Sequence, residues 1–140
     1  GIGMRGDYEY DEFIAGYREQ LTFVNKSLQI AIDEILAQSP DPPIIIVQAD
    51  HGPDAKLDYG GWRIEKTYLP ERMSIFNAYY FPDQNYEALY ESITPVNTFR
   101  VIFNNYFGAD YELLEDRSYF AGWSHPYLFT DVTDEVVTSN

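Results

Sequence analysis

The stretch Pro43–Asp54, PIIIVQADHGPD, constrains the chain most. Ile44 to Val47 are β-branched and continuously apolar, which predicts a strand buried on both faces, as in a parallel sheet between helix layers. The run ends on Asp50 and His51, with Gly52 behind them. In open α/β sheets, ligand sites form just beyond the carboxyl ends of strands. Successive strand residues point to opposite faces, but a chain that bends at Gly52 can turn both side chains towards one ion. A carboxylate beside an imidazole suits zinc, manganese or iron, and suits calcium less, because calcium prefers oxygen ligands alone. The plainer alternative is a strand that ends in a polar turn.

The elements around this strand point to an α/β fold. From Phe13 the apolar positions Ile14, Tyr17, Leu21, Val24, Leu28, Ala31, Ile32, Ile35 and Leu36 keep the period of an amphipathic helix. Asp7 or Asp11 is its candidate cap, and the prolines of SPDPP at 39–43 end it. A helix over 12–38 is therefore expected to pack on a sheet whose central strand is 44–48. After Gly52 the chain reads as a long polar loop with a Gly-Gly pair, then a second strand over 73–82 closed by Pro82. Residues 85–93 suggest a short helix. Residues 94–108 carry clear helix punctuation, with Thr94 at the N-cap, Pro95 in the first turn and Gly108 at the C-cap. A short strand is expected over 117–122, and 126–136 is mixed. The length of 140 residues fits one domain or part of a larger one.

Composition excludes several classes. A formal net charge of −14 disfavours a polyanionic nucleic-acid partner. The absence of Cys rules out disulfides, a thiolate nucleophile and Cys-ligated metal. No apolar run approaches the roughly 20 residues of a membrane span. A hydrophobic fraction of 45% supports a folded core, and an aromatic fraction of 17% offers large ring surfaces to build it.

IIIVQADHGP resembles the late metal-binding motif of the alkaline phosphatase superfamily, particularly its sulfatase-like and lipoteichoic-acid-synthase-like members. YREQLTFVNKSLQIAIDEIL is similar to the helix that precedes this strand there, and ERMSIFNAYYFP and SITPVNTFRVIFNNYFG resemble downstream parts of bacterial membrane sulfatase-like hydrolases. The likeness spans residues 8 to 120. It implies a partial alkaline-phosphatase-like sandwich with a mostly parallel sheet, and a divalent ion held by Asp50 and His51. It also implies a substrate that is a sulfate ester, a phosphate ester or a lipid-linked phosphoglycerol, in a membrane-anchored parent with an extracytoplasmic catalytic domain. Such enzymes need an early acidic ligand and a Ser, Thr or modified Cys nucleophile, for which the chain offers no candidate in matching context. The expectation is a C-terminal part of a larger enzyme, inactive alone and prone to self-association through an open edge or apolar face.

Other residues carry weaker signals. His125 is a second histidine without a recognisable ligand motif, and a surface-loop role is expected. Arg63 and Arg100 are candidates for binding an oxyanion, and Lys56 lies close to the Asp-His pair. Ion pairing is the plainer role for Arg100. Trp62, Trp123 and the Tyr clusters suit stacking on sugars, with core packing the plainer role. That leaves a non-catalytic carbohydrate-binding or interaction module as the alternative function. Asp110, Glu112, Glu115 and Asp116 read as a solvated acidic stretch, since EF-hand spacing is absent.

Overall fold

The computed structural model describes residues 10–137, and the candidate cap Asp7 lies outside them. The chain is mixed α/β. Helix α1 spans Tyr10–Gln38, and strand β1 follows at Ile45–Gln48. A single 3-10 turn at Ile64–Lys66 leads to the short helix α2, Leu69–Met73. Strand β2 is Asn77–Tyr80, helix α3 is Pro95–Phe107, strands β3 and β4 are Tyr119–Phe120 and Thr130–Asp131, and α4 is Thr133–Val137.

The expected mostly parallel sheet is corrected by the pairing. β1 and β2 are antiparallel, with Ile45 opposite Tyr80 and Gln48 opposite Asn77, and β3 and β4 are antiparallel as well. A parallel neighbour needs a crossover that returns the chain along the strand's full length. Here the connection stays at the carboxyl end of β1. Gly52 N donates to Arg72 O at 2.9 Å and Ala49 N to Phe76 O at 2.9 Å, so α2 delivers β2 straight back. β1 is half-buried along its length, where burial on both faces was expected.

The expected strand over 73–82 shrinks to its middle because Leu69–Met73 is helical, with Pro70 in the first turn. Residues 85–93 form turns and no helix, closed by Leu89 N to Tyr86 O and Ile93 N to Tyr90 O. The expected packing of the first helix on the sheet is also corrected. No residue of α1 is buried, and Leu21, Val24, Ile35 and Leu36 of its apolar stripe stay exposed. Prolines at 40, 42 and 43 do end it.

The core is small and lies after β1. Leu57, Leu69, Phe120 and Val132 are buried together, with Trp62, Met73 and Val136 against them. Beside β2, Phe81 is buried between the rings of Tyr86 and Tyr106, each 5.2 Å away. Asp83 accepts from the Tyr106 hydroxyl at 2.6 Å, and burial together with that carboxylate pushes the phenol up to about 12.

α3 begins and ends where its punctuation predicts, but Thr94 makes no side-chain cap. Its backbone N–H and its hydroxyl both donate to the Asp116 carboxylate, at 2.8 and 2.6 Å. Gly108 closes the helix at φ 66°, a left-handed conformation that favours glycine.

Candidate metal centre

The Asp50–His51 pair sits where the chain leaves β1; a backbone contact orients the His51 ring, while the Asp50 side chain is 90% exposed. Gly52 is buried, and a Cβ there would meet the Glu71 carbonyl oxygen at 1.7 Å. Glycine is therefore required by the close approach of α2, in addition to any freedom to bend. His51 Nδ1 lies 2.6 Å from the Gly52 carbonyl oxygen. A carbonyl only accepts, so Nδ1 carries a proton, and in the neutral ring the lone pair lies on Nε2. Nε2 lies 3.7 Å from Asp50 Oδ2. Two ligands with bonds of about 2.1 Å in a tetrahedral site stand about 3.4 Å apart, so a small adjustment lets both reach one ion. A backbone carbonyl, like a carboxylate or water, is among the partners that orient the far ring nitrogen of metal-binding histidines.

Asp54 stands on the other side of the ring, with Oδ2 3.6 Å from Nδ1. It is committed to Arg72, whose Nη1 donates to both carboxylate oxygens at 2.7 Å. Among the described residues no group of three His, Asp or Glu side chains converges to hold an ion. A carboxylate and an imidazole are donor types that zinc or manganese takes, but two are fewer than the three or four protein ligands such a site uses.

The loop after the pair is folded tightly on α2. The Glu71 carboxylate accepts from Ala55 N at 2.9 Å and from Lys56 N at 3.2 Å. Asp58 accepts from Arg63 Nε at 2.6 Å and from Arg63 Nη2 at 3.2 Å, which holds its carboxyl well below the ordinary range. Thr67 and Tyr59 tie the rest, through Asp58 N to Thr67 Oγ1 and Tyr59 OH to Asp54 O. Asp54 and Trp62 hold φ near 50° here, an uncommon conformation for residues with side chains.

Asp50, His51, Trp62 and Arg72 line one side of a cleft of about 1040 Å³. Tyr79, Tyr90, Thr94 and Asp116 line it further on. Asn97 and Thr98 are fully buried behind that part. Asn97 Nδ2 donates to Leu114 O at 2.7 Å and to Asp116 Oδ1 at 3.0 Å, and its Oδ1 accepts from Leu114 N at 3.0 Å. Tyr79 and Thr98 share a hydrogen bond at 2.8 Å, and Asn77 Nδ2 donates to Tyr79. Burial would raise the Asp116 carboxyl, but the hydrogen bonds from Thr94, Tyr90 and Asn97 outweigh it and hold the group below its ordinary value. Burial and the Asp116 carboxylate raise the Tyr90 phenol.

The other singled-out residues are placed as follows. Arg63 is spent on Asp58. Arg100 donates to the Glu112 carbonyl oxygen at 2.8 Å and lies over the Tyr111 ring, in place of the expected carboxylate partner. Lys56 lies over the rings of Tyr10 and Tyr68, 5.7 and 4.9 Å away. His125 is exposed in a turn, with its backbone bonded to Gly122 and Leu128. Trp62 and Trp123 meet edge to face at 5.4 Å. Of the acidic stretch, Asp116 is a structural acceptor while Glu115 pairs with Arg117.

Sequence reasoning missed Arg72 and Asp54. Pro70 in a first turn was the available signal for a helix that would bring Glu71 and Arg72 back to the motif. No protein-family model matches the chain, and no curated protein or solved structure is significantly similar to it.

Proposed function

We propose that Asp50 and His51 hold one divalent transition ion in a metal-dependent hydrolase or transferase acting on sulfate or phosphate esters, of the alkaline phosphatase superfamily. The observation that carries this reading is the orientation of His51. Its Nδ1 proton is given to Gly52 O at 2.6 Å, and the free Nε2 faces the Asp50 carboxylate at 3.7 Å, at the wall of a cleft. When bound, the ion supplies Lewis-acid polarisation of the ester oxygen. Asp50 would contribute the negative charge and His51 the nitrogen donor, and the Gly52 carbonyl would keep the ring from rotating. The remaining ligands, the hydroxyl nucleophile and the parallel strands of the sandwich would come from other parts of the parent enzyme.

Titration with Mn²⁺, read by loss of the free-ion paramagnetic resonance signal, tests this. One weak site per chain is expected, abolished by His51→Ala and by Asp50→Ala. Binding that survives both substitutions would defeat the reading. A second reading, a carbohydrate-binding module, is favoured by the exposure of Trp123 (71%) and Tyr127 (89%). A glycan screen that succeeds where the Mn²⁺ titration fails would select it.

A further inference from the structure

Strands β3 and β4 form a hairpin, with Tyr119 opposite Asp131 and Phe120 opposite Thr130, so residues 121–129 are its tip. The base is fixed in the core. Phe120 and Val132 are buried, Val132 N donates to Ser118 O at 2.9 Å, and Ser118 N donates to Thr133 Oγ1 at 2.9 Å. The tip is folded on itself by two turns, His125 N to Gly122 O at 3.1 Å and Leu128 N to His125 O at 3.0 Å. Its large side chains nevertheless stay in solvent. Trp123, Tyr127, Leu128 and Phe129 are between 64% and 89% exposed. Charge avoids the same segment. From Ser118 to Thr130 the chain carries no Asp, Glu, Lys or Arg, although it holds 23 acidic residues in 140. Charges resume at the base, where Arg117 pairs with Glu115 at 2.8 Å and with Asp131 at 2.7 Å.

We propose that this hairpin tip is a lipid-surface anchor, which seats Trp123, Tyr127, Leu128 and Phe129 in the interface of a bilayer with zwitterionic headgroups. Trp and Tyr favour the headgroup level, where the ring is apolar and its N–H or O–H stays wet. Leu128 and Phe129 supply apolar side chains for the acyl boundary. Stacking on a sugar would use the rings of Trp123 and Tyr127 and leave the adjacent Leu-Phe pair without a role. The charged base sets the depth. Ionised groups resist entry into hydrocarbon, so the tip settles in the interface and does not span the bilayer. The net charge of −14 selects the surface, because an anionic leaflet repels the chain and a zwitterionic one does not. The anchor needs no ion at Asp50 and His51.

Cosedimentation of the 140-residue chain with phosphatidylcholine vesicles, in the presence of a chelator, tests this. The bound fraction is expected to rise with lipid, and brominated acyl chains should quench the tryptophan emission. Leu128→Ser with Phe129→Ser should lower the partition coefficient about tenfold. Tyr127→Ser should lower it as well, and carries the test where the double variant does not fold by circular dichroism. Phe107→Ser removes a similarly exposed ring from α3 and should leave binding unchanged. Adding phosphatidylserine to the vesicles should weaken binding at low salt. Absence of vesicle binding, or binding that the tip variants do not lower, overturns the anchor. Stronger binding to phosphatidylserine overturns the choice of surface. A glycan that binds through Trp123, with no binding to vesicles, gives the tip to sugar and overturns the anchor too.

Discussion

A Cβ placed on Gly52 would stand 1.7 Å from the carbonyl oxygen of Glu71 and 2.8 Å from that of Ser74. Both atoms belong to backbone, so neither can swing aside. Gly52→Ala is expected to push α2 off the end of β1 and to cost about 3 kcal/mol or more, as other substitutions that overpack a filled site do. Gly108→Ala is the matched control. It meets open space, so it pays only for the left-handed backbone, about 1 kcal/mol. Urea denaturation of the two variants measures the difference, and equal costs would mean that α2 does not pack on Gly52.

Asn97 is the second position with a defined cost. Its fully buried side chain satisfies Leu114 N and Leu114 O and shares the Asp116 carboxylate. Asn97→Ala takes these partners from Leu114 N and Leu114 O and one of several donors from Asp116, and is expected to cost about 3 kcal/mol. Asn105→Ala, on the same helix but exposed, should stay within about 0.5 kcal/mol. Thermal unfolding of both variants checks the contrast.

Stability should fall in acid. Asp58, Asp83, Asp116 and Asp131 all have folded-state values below the ordinary 3.8. A depressed carboxyl stabilises the fold above its unfolded value and loses that contribution as pH drops through the folded one. The midpoint in urea should thus hold steady from neutrality to about pH 5 and decline below about pH 4. A midpoint that rises on acidification would contradict the assigned hydrogen bonds.

The chain alone is expected to hydrolyse nitrophenyl phosphate or nitrophenyl sulfate no faster than Mn²⁺ in buffer. Two ligands hold an ion loosely, where catalytic zinc sites use three protein ligands. Turnover that survives purification and vanishes in Asp50→Ala would show that the chain holds the whole machinery.

Self-association is expected through the apolar stripe of α1. Leu21, Val24, Ile35 and Leu36 remain exposed along a helix of 29 residues. Sedimentation should show a concentration-dependent increase in mass that Leu21→Ser with Val24→Ser reduces. A monomer at all concentrations would count against it.

The elements that were legible in the sequence depend on local chemistry. α1 follows from its period and its terminal prolines, α3 from Pro95 and Gly108, and β1 from its β-branched run. What the sequence hid depends on distant partners. Thr94 is a good cap by type, yet its donors are taken by Asp116, 22 residues further on. The direction of β2 follows from Gly52 meeting Arg72, and no local pattern encodes that pairing. Arg63 and Arg100 stood out in the sequence and Arg72 did not, because only the fold shows that Asp58 holds Arg63, the Glu112 carbonyl holds Arg100 and Asp54 holds Arg72.

The chain contains two tryptophans, and they stand edge to face at 5.4 Å, with the Arg72 cation against one of them. Gly122 makes this possible, since a Cβ there would already press the Trp62 carbonyl oxygen at 3.2 Å. All indole emission from the protein therefore originates from one pair of rings, of which Trp62 lines the cleft. The native chromophores thus form a built-in optical reporter of changes around Arg72 and Trp62, readable without a label.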